Sequence, residues 1–268
     1  MGFRICNLLD FFYFYPVKTQ PMNNDLKSLS AETCRPTPCA LYVHGLGSGA
    51  ATRTIRQIRE LFPDFEWIAV EVGEDAEEAV GKLNRYVATC QPDLLMGTSL
   101  GGFYVFYANA PTAMKIICNP AMNIDEIIRS KIGFGEHRYF VKREDGKKTF
   151  TLDESVCERF AAYRRTHRAI LGRANYAFFG DSDELIGAEG TCQNMWAVFK
   201  AGYSLYVEKE GQHRLNEHTL QMIREEIFIR RGLWALNRPM RMEGDLWKVK
   251  DTYYIAQAFS EIRCKSKQ

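Results

Sequence analysis

Ser99 stands at the centre of Gly97-Thr98-Ser99-Leu100-Gly101. The apolar run Leu94-Leu95-Met96 precedes it, and a helix-spaced apolar stretch with Phe103, Val105 and Phe106 follows. A strand-to-helix turn this tight needs small residues two places before and two after the serine, and it projects the hydroxyl from a strained backbone. G-x-S-x-G in that setting is the pattern of an exposed nucleophile. A serine hydroxyl alone is a poor nucleophile and needs a base. Of the five histidines, His44 belongs to another motif, His137 and His167 fall in a polar middle segment, and His218 sits inside a helical pattern. His213, in Glu210-Gly211-Gln212-His213, directly follows the last strand-like run, where a loop can carry an imidazole back over a sheet edge. An acid that holds the imidazole tautomer is expected after the penultimate strand, in Gly180-Asp181-Ser182-Asp183-Glu184-Leu185. Asp181, Asp183 and Glu184 are all candidates there, and a plain polar turn would use the same residue types. The backbone N–H of Leu100, at a helix start, and that of Leu46, in His44-Gly45-Leu46-Gly47, are the expected oxyanion donors. His44 itself is expected to be structural.

These residues need a scaffold of alternating strands and helices. Strands are expected at Ala40–Val43, Phe65–Val70, Asp93–Met96, Met114–Cys118, Tyr176–Phe179 and Ser204–Val207. Helices are expected at Thr54–Leu61, Ala76–Val87, Leu100–Ala108, Gly190–Lys200 and roughly Glu217–Arg230. This rhythm implies an α/β fold, a mostly parallel sheet with helices on both faces. Residues 121–172 break the rhythm. They are polar, charged and mostly helical in pattern, and read as a lid insertion above the carboxyl edge of the sheet, where ligands bind in such folds. Its aromatics Phe134, Tyr139, Phe140, Phe160 and Tyr163 could line an acyl pocket or pack the lid onto the body. The expected organisation is an N-terminal extension and linker over 1–38, one domain over 39–231, and a C-terminal extension over 232–268.

At 268 residues and 46% apolar, the chain has material for one sizeable core. The 35 basic and 33 acidic residues nearly cancel, so nucleic acid is not an expected partner. No apolar run is long enough to span a bilayer. The apolar stretch Ile5–Tyr15 is interrupted by Asn7 and Asp10 and has no small-residue cleavage site after it, so no secretory leader is expected. The eight cysteines form no CxxC pair and have no zinc spacing, which points to reduced thiols in a cytoplasmic protein. No metal or organic cofactor is expected. The expected partner is a small acyl ester, and the expected assembly a monomer or small homo-oligomer.

The run Leu41-Tyr42-Val43-His44-Gly45, the elbow Gly97-Thr98-Ser99-Leu100-Gly101-Gly102, the turn Asn119-Pro120-Ala121 and Gly211-Gln212-His213 together resemble the YqiA/YcfP-like group of small bacterial α/β-hydrolases. The resemblance covers about residues 39–230, and the Ser-Leu-Gly-Gly and Asn-Pro-Ala elements are its more specific parts. It implies the α/β-hydrolase fold in a compact form and esterase activity on acyl esters. Carried over by motif, it implies Ser99, Asp183 and His213 as the triad, with Asp183 three residues after the glycine that ends the strand. The two long extensions depart from it.

Three other readings compete. Gly45-Leu46-Gly47-Ser48-Gly49-Ala50 fits G-x-G-x-x-G/A between a strand and a helix, and Glu71 closes the next strand where a ribose-binding acid would stand. A Rossmann-like nucleotide-binding enzyme is therefore one alternative, and a non-catalytic α/β-hydrolase binding protein is another. The basic residues Arg159, Arg164, Arg165, Arg168 and Arg173 could meet the phosphates of an acyl-CoA thioester or form a solvated helix face.

Overall fold

The computed structural model describes residues 37–225. The expected extension over 1–38, apart from its last two residues, and that over 232–268 lie outside the described residues. Eight strands and seven helices follow in chain order: β1 Cys39–Val43, α1 Arg53–Leu61, β2 Glu66–Val70, α2 Ala76–Cys90, β3 Leu94–Thr98, α3 Leu100–Tyr107, β4 Met114–Cys118, α4 Ile124–Ile127, β5 Gly135–Arg138, β6 Thr149–Leu152, α5 Glu154–Thr166, β7 Ala174–Gly180, α6 Gly187–Lys200, β8 Ser204–Glu208 and α7 Glu217–Ile223. Six strands form one sheet in the order β2-β1-β3-β4-β7-β8, all pairs parallel. The chain steps outward from β1 to β2 and returns to pair β3 on the other side of β1. The carboxyl ends of β1 and β3 therefore flank the switch point of the sheet.

Side chains on successive strand positions face opposite sides, and each side is covered. Leu41, Val43, Leu95, Ile117, Ala177, Phe179 and Leu205 pack with buried residues of α2, α3, α5 and α6. Ala40, Tyr42, Leu94, Met96, Ile116, Cys118 and Phe178 pack with Ile55 and Ile58 of α1 and Leu220 and Ile223 of α7. The expected helix Ala76–Val87 runs on to Cys90 because Gln91 takes the left-handed conformation (φ 44°) that closes it, while the Asp75 side chain accepts from Glu78 N–H at its start. The last expected helix begins at Glu217 as read, with Asn216 accepting from Thr219 N–H, and its expected end lies outside the described residues.

The insertion is not mostly helical. It holds α4, a π-helical turn over Ile128–Ile132, α5, and the antiparallel hairpin β5–β6, in which Gly135 faces Leu152 and Arg138 faces Thr149. Its aromatics divide between two roles. Phe160 is 1% exposed, and its ring meets Phe103 of α3 edge-on at 5.6 Å, so it packs α5 onto the body and lines no open pocket. Phe140 is 78% exposed.

One charge lies within the sheet layer. Lys115 of β4 is fully buried, and its Nζ donates to Ala108 O at 2.6 Å and to Ile170 O at 2.5 Å. These bonds tie the end of α3 and the segment before β7 to the central strand. Burial without a carboxylate partner lowers its pKa to about 7.

α3 lies so close to β1 that only hydrogen fits on Gly101: a Cβ there would sit 2.1 Å from Val43 O and 2.6 Å from His44 O. β1 is bonded on both sides and cannot retreat. Gly101→Ala is expected to cost about 3 kcal/mol or more, or to abolish cooperative folding. Gly81, inside α2, would place its Cβ no nearer than 3.8 Å to Arg85 Nη1. Gly81→Ala is expected to stabilise by about 0.5–1 kcal/mol. Urea unfolding of both variants checks the pair, and similar midpoints would refute the steric argument.

Candidate active site

Ser99 caps α3 at φ 53°, ψ −122°, a region that non-glycine residues seldom occupy, and its side chain makes no capping bond. The backbone of the turn is held instead: Ser99 N–H donates to Cys118 O at 2.9 Å, and Ser99 O accepts from Gly102 N–H and Ala121 N–H. The hydroxyl is thereby left free to point at the sheet edge.

The loops after β7 and β8 approach one another over that edge. A Cβ on Gly180 would meet Gly211 O at 2.2 Å, so the pair of loops can close only on glycine. Asp183, with its side chain 1% exposed, is fixed at Oδ1 by Leu185 N–H (3.0 Å) and Ile186 N–H (2.8 Å). Its Oδ2 lies 2.8 Å from His213 Nδ1, and His213 Nε2 lies 2.9 Å from Ser99 Oγ. A carboxylate only accepts, so Nδ1 carries the ring proton and Nε2 is left to accept from the serine hydroxyl. The three residues singled out in the sequence, spread over 114 positions, thus form one hydrogen-bonded series.

The neighbouring acids have other partners. Asp181 accepts from Glu210 N–H at 2.7 Å and Ser182 Oγ–H at 2.8 Å, bracing the turn. Glu184 is exposed and accepts from the backbone N–H of His213 at 3.0 Å, which ties the histidine loop to the acid loop from outside. Asn119 had appeared only as part of a resembling motif, and it does more. At φ 42° its Nδ2 donates to Gln212 O and His213 O, both at 2.9 Å, and its Oδ1 accepts from Gly180 N–H at 2.7 Å. One buried amide therefore spans β4, the acid loop and the histidine loop. An asparagine directly before a proline after a core strand was the available signal.

Leu100 opens α3, so its N–H has no acceptor within the helix. The loop carrying Leu46 lies directly beside it, since a Cβ on Gly45 would stand 3.1 Å from Ser99 Cβ. His44 is structural, as expected. It is 3% exposed, its Nδ1 donates to Gly45 O at 2.8 Å, and its Nε2 accepts from Val72 N–H at 3.3 Å.

The glycine-rich loop is not shaped as a phosphate cradle. Phe140 and Phe150 of the insertion lie against Gly47, and Glu71 is buried and accepts from Ala50, Glu144 and Asp145 N–H. A carboxylate turned inward onto its own chain is not placed to bind a ribose, which removes the main support for the nucleotide reading. Arg159 pairs with Asp75, and Arg164 pairs with Asp125 and donates to Met122 O, so two of the five arginines are engaged within the fold. Among the described residues no cluster of three or more His, Cys, Asp or Glu could hold a metal, and no helix is long and apolar enough to cross a membrane.

A model of the uncharacterised protein family UPF0227 matches residues 39–224. No curated protein sequence matches the chain. Among solved structures, Est1E from Butyrivibrio proteoclasticus is similar, with 16% identity, 70% of this chain and 84% of that chain covered, and a TM-score of 0.51. The esterase domain of a Rhodothermus marinus protein is similar at 17% identity, covering 76% and 88%, with a TM-score of 0.45. Mouse alpha/beta hydrolase domain-containing protein 10 is similar at 17%, covering 70% and 86%, with a TM-score of 0.48. The strand order, the elbow after β3 and the first of these likenesses identify the fold as that of the α/β-hydrolases.

Burial lowers the His44 pKa from 6.5 to about 4. Below pH 6.5 the unfolded chain binds a proton here that the folded chain refuses until about pH 4. Stability present above pH 6.5 is therefore lost as pH falls through that window, by about 3 kcal/mol in all. His44→Gln is expected to start less stable at pH 7 but to lose about 2–3 kcal/mol less than the parent between pH 7 and 4.5. Urea midpoints at the two pH values measure this, and equal losses would contradict it.

Proposed function

The chain belongs to the uncharacterised protein family UPF0227, the YqiA/YcfP family, and we propose that it is a serine hydrolase cleaving carboxylic esters through an acyl-enzyme on Ser99. The observation that carries this reading is the series Asp183 Oδ2, His213 Nδ1, His213 Nε2, Ser99 Oγ, with both links under 3 Å, at the end of a strained elbow. Such a series has no evident structural use, because Ser99 is held by its backbone and Asp183 by two amides.

Ser99 Oγ attacks the ester carbonyl carbon as its proton passes to His213 Nε2. Asp183 accepts from Nδ1–H, holds the ring in that tautomer and stabilises the imidazolium. The N–H groups of Leu100 and Leu46 receive the negative oxygen of the tetrahedral intermediate. Collapse breaks the bond to the alcohol oxygen, which takes the proton from Nε2. Water then attacks the acyl-serine by the same steps in reverse roles, giving the free acid and the resting enzyme. An acyl thioester fits the same sequence with a thiol as leaving group. The buried thiols Cys118 and Cys157 suit a reducing, cytoplasmic setting. The likeness to Est1E is consistent with this reading.

A fluorophosphonate probe is expected to label the protein, and Ser99→Ala to abolish labelling and turnover of p-nitrophenyl esters. Labelling that survives the substitution would sink the assignment. Asp183→Asn keeps the shape but favours the wrong tautomer, a change worth about 10⁴ in kcat in a protease. A loss of several hundred-fold or more is expected here, against less than about tenfold for Asp181→Asn, whose oxygen can still accept from Glu210 N–H. The reverse order in kcat would move the acid along the turn.

A further inference from the structure

The segment joining β5 to β6, within the insertion, grips the loop that carries Leu46. Phe140 N–H donates to Gly47 O at 2.8 Å. The Arg143 side chain, 3% exposed, donates from Nη1 to Ser48 O at 3.1 Å and to Val72 O at 3.0 Å. That one nitrogen therefore joins the loop after β1 to the segment just after β2. The guanidinium is fixed on its other sides. Nε and Nη2 bind the Asp145 carboxylate, Nη2 lies 3.6 Å from Glu71 Oε1, and the plane rests 4.3 Å from the centroid of the Tyr139 ring. Glu71 Oε2 in turn accepts from Ala50 N–H at 3.4 Å, on the far side of the same loop. The loop is thus held at Gly47 O, Ser48 O and Ala50 N. Leu46 lies directly before the first of these anchors, while its own side chain is only half-buried and packed on the core edge.

We propose that Arg143 is a positioning residue for the oxyanion site: it fixes the loop Gly45–Ala50 so that the Leu46 N–H faces the oxygen developing on a carbonyl attacked by Ser99. This rests on the hydrolase reading above. The physical need is plain. A backbone donor stabilises a transition state only when it is aimed in advance, because aiming it during the reaction would add its reorganisation to the barrier. A loop of three glycines among six residues does not aim itself. A guanidinium is suited to the task because its planar fork makes several bonds at fixed angles from three nitrogens, where a lysine ammonium is a single point of donors without a fixed fork. On this view the insertion acts through its hairpin as a brace on the catalytic loop, in addition to any effect on substrate size.

The test compares the parent, Arg143→Met and Arg143→Lys. Removing one oxyanion donor outright lowers kcat by about 10²–10³ in a protease, so a donor that is present but loosely aimed is expected to lose about 10–100-fold in kcat with KM within about threefold. The distinguishing readout is affinity for an alkyl boronic acid, which forms a tetrahedral adduct with the serine and places an anionic oxygen where the oxyanion would sit. Its inhibition constant is expected to weaken by the same factor as kcat, while inhibition by the planar carboxylate product changes by less than about threefold. A purely structural role would lower the melting temperature without moving the boronic acid away from the carboxylate. If Arg143→Met does not fold, Arg143→Lys carries the test, with an intermediate loss expected. Boronic acid affinity unchanged in a folded variant overturns the proposal. A parent protein that neither labels at Ser99 nor binds the boronic acid would overturn the hydrolase reading itself.

Discussion

The start of α3 lies hard against the end of β1, and the site is arranged around that contact. Because Gly101 lies against Val43 O and His44 O, the helix enters steeply and the residue before it must turn through a positive φ. Ser99 occupies that turn. The same approach puts the loop after β1 within contact of the serine, so nucleophile and oxyanion loop are placed by one steric event. The acid and histidine loops repeat the device on the other side, where Gly180 meets Gly211. Between the two contacts, Asn119 bridges the end of β4 to both outer loops by hydrogen bonds.

Electrostatics then hold what packing brings together. Arg143 and Glu71 are both buried, and such a pair gives little net stability because each ion loses its water. Its value lies in direction: five backbone groups from three segments are bonded to this pair, counting Ser48 O, Val72 O and the amides of Ala50, Glu144 and Asp145. Charges with so many fixed partners resist displacement more than apolar side chains of equal volume, which can repack.

The six strands of the main sheet were legible because each is a short apolar run between turn residues, and the order of serine, acid and histidine after β3, β7 and β8 follows from that rhythm. The hairpin was not legible. Gly-Glu-His-Arg at β5 has no alternating apolar face; the pair is anchored through β6, where Leu152 is buried in the core and Phe150 packs against it. Glu71 showed its position at a strand end but not its direction; an inward carboxylate is decided by Arg143, 72 residues later. Asn119 was marked only by its place before a proline after a core strand, and not by its partners, because both loops it binds are remote in sequence. The bond from the His213 amide to Glu184 was not legible because one partner is a backbone N–H, which no side-chain pattern announces.

The buried lysine of β4 bears on how the sheet is completed. In synthesis from the N-terminus, β2, β1, β3 and β4 precede the insertion, and β7, the next partner of β4, follows residues 119–173. At about 5–20 residues per second, β4 is the open edge of a four-stranded sheet for several seconds. It is an otherwise apolar strand, Met-Lys-Ile-Ile-Cys, of the kind that pairs with other chains when left uncovered. A charged amine at its second position opposes such pairing. Its bonds to Ala108 O and Ile170 O can both form only when the ribosome has passed the insertion. The residue that guards the unfinished edge is thus the one that closes it.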